Sequence, residues 1–207
     1  MEKLKIGVVG AGNIAKHGHL PAYRKCYNCV PQAICDIDFE RAKRVAEEFG
    51  IPEVYPSIEE MLEKSDIAAV DICTWNNAHA PCLIAAANAG KHVMCEKPLA
   101  MNLDDALKME QAVKENNVIF FLAVPSRFGY ENMYLRDMFD RDEFGDVYYS
   151  KTCYMRYDQF IHQEYGKGIL EMVIHVGENV LDVNKIPVIV ESRDHAVPIF
   201  IPIVLLG

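Results

Sequence analysis

Over the first 124 residues, short apolar runs alternate with longer amphipathic stretches, the pattern of strands and helices in strict turn. Leu4, Ile6, Val8 and Val9 mark a first buried strand, and a helix runs from the adjoining glycines toward Arg24. Gln32 to Cys35 reads as the second strand and Phe39 to Phe49 as the second helix. Glu53 to Tyr55 is a short third strand, after which Ser57 caps a helix from Ile58 to Lys64. Ile67 to Cys73, His92 to Cys95 and Val118 to Val124 bring the strands to six. Between them lie an alanine-rich helix, Ala80 to Ala89, closed by Gly90, and a helix from Leu103 to Asn116 capped by Asn102. Such alternation implies right-handed crossovers and a parallel sheet covered on both faces. The expected class is α/β, with a doubly wound parallel sheet in residues 1–124.

Near Pro125 the pattern changes. Ser126 to Tyr130 is polar and aromatic, Glu131 to Phe139 reads as a helix, Gly145 as a turn, and Val147 to Arg156 as a long alternating strand. Tyr157 to Gly168 is loop, followed by a helix from Ile169 to Asp182. Residues 125–207 are therefore expected to form a second, partial α+β domain.

The first strand leads directly into Gly10-Ala11-Gly12-Asn13-Ile14-Ala15, the G-x-G-x-x-A form of a dinucleotide-binding fingerprint. Gly10 permits the tight turn, Gly12 lets a pyrophosphate approach the backbone, and Ala15 lets the helix pack closely on the strand. The phosphates would sit on N–H groups of Gly12, Asn13 and Ile14 at the positive end of that helix. The bland alternative is an ordinary strand-turn-helix corner. Asp36, 24 positions after Gly12, ends the second strand near the ~20-residue offset at which a carboxylate accepts hydrogen bonds from the adenosine ribose. That favours NAD over NADP, whose 2′-phosphate would face a like charge, with Arg41 the nearby cation to relieve it. Otherwise Asp36 is a helix cap.

Composition narrows the classes. An apolar fraction of 51% supports a packed core, and 21 basic against 30 acidic residues give a net charge of −9, which disfavours nucleic acid as a partner. No leader pattern opens the chain, and the apolar tail from Ala196 to Leu206 is interrupted by prolines and falls short of the roughly 18 residues a membrane span needs. A cytoplasmic protein is expected. Its seven cysteines are expected to be reduced. Cys26-Tyr27-Asn28-Cys29 has the spacing of half a zinc site with no second pair at a plausible distance, while Cys35, Cys73 and Cys95 fall in or at the ends of apolar strands; no metal is expected.

In an open parallel sheet, ligands sit beyond the carboxyl ends of the strands. Thr74-Trp75-Asn76-Asn77-Ala78-His79 follows the fourth strand and Glu96-Lys97-Pro98 the fifth. The proline holds Lys97 at the sheet edge; the alternative is a solvated surface pair. Farther on, Glu171, His175, Glu178 and Asp182 share one helix face, either a catalytic set or a solvent-facing charged stripe.

The glycine loop, Asp36, the Thr74 to His79 loop, Glu96-Lys97-Pro98 and the His175 helix together resemble the glucose-fructose oxidoreductase and inositol dehydrogenase (Gfo/Idh/MocA) family over residues 1 to about 183. The resemblance implies a Rossmann domain, NAD, and a sugar, polyol or related substrate. It places Thr74, Asn76, His79, Glu96 and Lys97 around the cofactor, with Lys97 by the nicotinamide and substrate. Glu171 and His175 would match an aspartate and histidine four apart in the family, with one extra methylene at Glu171. Trp75 stands where the family usually has proline after threonine. The chain also ends before the large antiparallel sheet that such enzymes carry, so it reads as a truncated homologue or one whose reading frame changes after about Val183. Two functions are expected as alternatives: hydride transfer with Lys97 and His175 handling the proton, or a non-catalytic NAD-binding protein. Few strands are visible to pair with Val147 to Arg156, which leads to a homo-oligomer assembled through residues 125–207.

Overall fold

The computed structural model describes residues 2–144. The chain divides into two units, Met1–Ala123 and Val124–Gly207. In the first, six strands form one parallel sheet in the order β3-β2-β1-β4-β5-β6. They are β1 (Leu4–Val9), β2 (Cys29–Cys35), β3 (Glu53–Tyr55), β4 (Ala69–Ile72), β5 (His92–Glu96) and β6 (Phe120–Ala123). The helices between them are α1 (Leu20–Tyr23), preceded by a π-helical turn at Ala15–His19, then α2 (Phe39–Phe49), α3 (Ile58–Lys64), α4 (His79–Asn88) and α5 (Leu103–Glu115). The doubly wound α/β class read from the pattern is the observed one.

Alternation along the strands produces two cores. Val8 and Ile34 point to one face, where they pack with Ala15, Leu20, Ala42, Val45 and Ala46. Val9, Ala33 and Cys35 point to the other, against Met61, Leu83, Ala86, Met109 and Val113. Burying both faces suits strands that read as continuous apolar runs. Alanines 86 and 87, both fully buried, keep α4 slim where it lies against the sheet and α5.

Two details depart from the sequence reading for identifiable reasons. β2 begins at Cys29 rather than Gln32, because the β1 pairing shifts so that Ile6 opposes Pro31 and Gly7 opposes Ala33. Skipping Gln32 makes a bulge beside the proline, which has no N–H to give the ladder. The first helix is not α-helical throughout: residues 13–23 are helical, but Ala15–His19 takes the wider π turn. One extra residue in a turn rotates the later part of the helix by ~100° relative to an unbroken α-helix, which changes where His19 points. The caps agree with expectation, with Ser57 accepting from the Glu60 N–H and Asn102 from the Asp105 N–H.

In the second unit the described residues form a 3-10 turn at Pro125–Phe128 and α6 (Tyr130–Asp140). The turn expected at Gly145, the strand from Val147 to Arg156 and the helix carrying Glu171, His175, Glu178 and Asp182 lie outside the described residues.

Candidate dinucleotide site

The strand order reverses between β2 and β4, on either side of β1, which is the topological switch point where open α/β sheets bind ligands. Hydrogen bonds join three strand ends there. The Gly10 N–H donates to the Cys35 carbonyl at 2.8 Å and the Cys73 N–H to the Val9 carbonyl at 2.8 Å. Gly10 has φ +95°, and a Cβ on it would lie 2.7 Å from the Cys73 carbonyl oxygen. Both conformation and space therefore demand glycine. Gly12 is different: a Cβ there would meet nothing within 4 Å. Its backbone faces open space beside the first turn of the helix, whose leading N–H groups have no partner within the helix. Asn13 and Ile14 are exposed at that turn, and Ala15 is fully buried against the sheet. A turn fixed by the protein at Gly10 and left open at Gly12 fits the approach of a dinucleotide pyrophosphate.

Asp36 is tied into the same loop. Its Oδ2 accepts from the Ala11 N–H at 2.7 Å and from Arg41 Nε at 3.2 Å, and its Oδ1 accepts from the Asp38 N–H at 2.8 Å and from Arg41 Nη2 at 2.7 Å. The cap of α2 is Asp38, whose carboxylate accepts from the Arg41 N–H. Asp36 is thus not that cap. Burial works against its charge, but the Arg41 guanidinium and the two backbone N–H groups outweigh it and hold the carboxyl below the usual aspartate range.

A second set of carboxylates lies between β4 and β5. Asp71 is fully buried in β4, and Glu96 is 7% exposed at the end of β5. His19 bridges them: Nδ1 donates to Asp71 Oδ2 at 2.8 Å and Nε2 to Glu96 Oε1 at 2.9 Å. The Tyr23 hydroxyl also donates to Asp71 Oδ2, at 2.9 Å. Burial alone would lower the His19 pKa, but its hydrogen bonds to Asp71, Cys73 and Glu96 push it up to about 12. The ring is an imidazolium with both protons committed. Burial and the Asp71 charge push the Tyr23 hydroxyl and the Cys73 thiol up, so both stay protonated. His19, Asp71 and Cys73 group closely enough to suggest metal ligands. A cation there would first have to displace the proton that Nδ1 gives to Asp71.

Glu96 reaches forward as well as back. Its Oε2 accepts from the Lys97 N–H at 3.2 Å, so the carboxylate held by His19 also fixes the backbone of the half-buried lysine. His79 supports the same corner from below. It is fully buried, with Nδ1 2.7 Å from the Pro98 carbonyl and Nε2 3.3 Å from the Thr74 carbonyl. Both ring nitrogens face backbone carbonyls, so His79 braces the two loops. Thr74 and Asn76 are half-buried, and Trp75 is exposed. Glu171 and His175 lie outside the described residues. His19, Tyr23 and Asp71 were not among the sequence candidates. Asp71, an acid inside an otherwise apolar strand, was the signal that a buried partner was needed.

Residues 4–124 match the model of an oxidoreductase family with an NAD-binding Rossmann fold, the Gfo/Idh/MocA family. The chain belongs to that family. It is 34% identical to myo-inositol 2-dehydrogenase of Thermotoga maritima over 125 residues, 60% of this chain and 37% of the relative. It is 39% identical to 1,5-anhydro-D-fructose reductase of Ensifer adhaerens over 113 residues, covering 55% and 34%. Among solved structures, scyllo-inositol dehydrogenase from Lactobacillus casei with bound NAD(H) and scyllo-inositol superposes with TM-score 0.67 at 28% identity, covering 71% of this chain and 44% of that one. The chain spans between a third and half of the length of these relatives. The described cysteines are free thiols, with Cys35, Cys73 and Cys95 buried in strands or at strand ends as expected. No helix among the described residues is long and apolar enough to cross a membrane.

Proposed function

We propose that the chain is an NAD-dependent oxidoreductase acting on a hydroxyl or carbonyl carbon of a sugar, polyol or related small molecule. The observation that carries this reading is the loop in which Gly10 is fixed against Cys73, Gly12 opens to space, and Asp36 is bonded to the Ala11 N–H at the sheet's switch point. The family membership and relatives that act on inositols and anhydrosugars support the substrate class. Gly10, Gly12, Asn13 and Ile14 hold the pyrophosphate, and Asp36 accepts from the adenosine ribose, which favours NAD over NADP. Thr74, Asn76 and Glu96 border the nicotinamide end. The nicotinamide supplies or takes the hydride.

Within this chain, Lys97 polarises the substrate oxygen as a cation, its backbone N–H held at the end of β5 by the Glu96 carboxylate. His175, a residue type that ordinarily titrates near neutrality, exchanges the hydroxyl proton, with Glu171 four positions before it in sequence. Residues 125–207 supply the substrate side and a homo-oligomer contact, and the protein works in the cytoplasm. The test is oxidation of a polyol and sugar panel followed as NADH absorbance. Lys97→Ala is expected to lower turnover by about 100-fold while NAD affinity stays nearly unchanged. Undiminished turnover in that variant would remove Lys97 from the chemistry.

A further inference from the structure

His19 ties the glycine-loop helix to the lysine corner. It ends the π turn at Ala15–His19, on the helical stretch 13–23 that begins directly after Gly12. From there its ring reaches two neighbouring strands, with Nδ1 on Asp71 of β4 at 2.8 Å and Nε2 on Glu96 of β5 at 2.9 Å. The two contacts are not equivalent. Asp71 Oδ2 also accepts from the Tyr23 hydroxyl, so the β4 carboxylate has a second donor on the same helical stretch. Glu96 has the ring on Oε1 and the Lys97 N–H on Oε2. That second bond runs from a side chain back to the next residue of its own chain, and at 3.2 Å it is long. A glutamate has three side-chain torsions to restrict, and a single long bond does not hold such a fold-back unaided. The charge-assisted bond from the imidazolium fixes the torsions that the fold-back needs.

From this asymmetry, and resting on the role proposed above for Lys97, we propose that His19 is a positioning residue for the reaction: through Nε2 it holds the Glu96 carboxylate folded against the Lys97 N–H and so sets where the lysine leaves the sheet edge, while its Nδ1 contact serves the fold. One ring thus has a functional side and a structural side. His19 acts through Glu96 and not on the reacting atoms. Misplacing a group at the reacting centre by about 1 Å costs about 100-fold in rate, so a Glu96 side chain released to other rotamers lowers turnover even where the glycine loop and the sheet are unchanged. The two sides can be separated chemically. The side-chain N–H of an asparagine falls near the Nδ1 position of a histidine, and that of a glutamine near Nε2, so each amide keeps one contact and gives up the other.

The experiment compares the 207-residue chain with His19→Asn and His19→Gln. It reads amide hydrogen exchange at Lys97 by NMR, the urea midpoint of unfolding, and kcat and KM on the polyol and sugar panel with NAD. His19→Asn is expected to exchange the Lys97 N–H about tenfold faster than the wild type and to lower kcat about ten- to a hundredfold, with KM and NADH affinity within about twofold. His19→Gln is expected to stay within about threefold of the wild type in Lys97 exchange and in kcat. It should nevertheless have the lower unfolding midpoint of the two, because the carboxylate it leaves without the ring is the deeper one, Asp71 at 1% side-chain exposure against 9% for Glu96. A merely structural histidine gives the opposite order, with kcat falling in step with the midpoint. Equal Lys97 exchange in the two variants, or a kcat that follows the midpoint, overturns the positioning role. No turnover by the wild type on the panel, or undiminished turnover in Lys97→Ala, overturns instead the functional reading of Lys97 and the catalytic part of this inference with it; Lys97 exchange then decides alone whether His19 fixes the backbone of the lysine.

Discussion

Two carboxylate sites stand at the same edge of one sheet, and their counter-ions differ in kind. Asp36 is held by an arginine that is 40% exposed and anchored on a flexible stem. Asp71 and Glu96 are held by an imidazolium that is 11% exposed and hydrogen-bonded on both sides. The first clamp can be exchanged for a ligand's hydroxyls at the cost of one exposed ion pair. The second cannot be opened without leaving two buried charges unpaired. The first arrangement suits the binding role proposed for Asp36, and the second holds the Glu96-Lys97-Pro98 corner in place. Charge alone does not distinguish a ligand site from a structural one here; the accessibility of the counter-ion does.

The largest effect is expected from breaking the buried clamp. His19→Ala leaves Asp71 and Glu96 without their shared partner, a loss on the order of 3–5 kcal/mol for a buried ion pair deprived of one member. Denaturant unfolding measures it directly, and a loss under about 1 kcal/mol would show that water or relaxation replaces the imidazolium.

The two clamps should also fail at opposite ends of the pH scale. Folded His19 keeps its proton up to about 12, whereas an unfolded histidine loses it near 6.5. Its contribution is complete below about 6.5 and is lost progressively as pH rises toward about 12, with a slope of up to about 1.4 kcal/mol per pH unit. Asp36, whose pKa is lowered on folding, contributes above the ordinary aspartate value of 3.8 and loses that contribution as pH falls through its folded pKa. Stability curves of the wild type and His19→Gln between pH 7 and about pH 9 separate the two, the variant being expected to show the shallower fall. Equal slopes would place the sensitivity elsewhere.

A smaller effect sharpens the same contrast within the glycine loop. Gly10→Ala forces a side chain into a left-handed conformation and against the Cys73 carbonyl, and should cost roughly 2 kcal/mol or more. Thermal melts against the wild type check it. A melt unchanged by the substitution would mean that the turn relaxes freely.

The sheet was legible because six apolar runs separated by amphipathic stretches leave few other arrangements, and because glycines and caps mark the element ends. β2 was read short, since Pro31 discourages a central strand and a bulge is not visible in residue pattern. The place of Asp36 24 positions after Gly12 is visible in the sequence, but its hydrogen bonds with Arg41 are not, because a side chain's partners depend on the turn that brings them together. His19 was missed for a similar reason. It is the π turn, and not a helical phase of 3.6 residues, that directs its ring between β4 and β5. The place of His79 after the fourth strand does not reveal that both its ring nitrogens meet backbone carbonyls.

The opening at Gly12 is proposed to admit a dinucleotide pyrophosphate. Titration of NADH into the 207-residue chain and into Gly12→Val tests it most directly, because a side chain at Gly12 meets no protein atom within 4 Å at its Cβ. Saturable binding is expected of the wild type, and of the variant a stability within about 0.5 kcal/mol of the wild type with affinity reduced by about tenfold or more, equivalent to ~1.4 kcal/mol. Equal NADH affinity in the two proteins, or no saturable binding by the wild type, would contradict it.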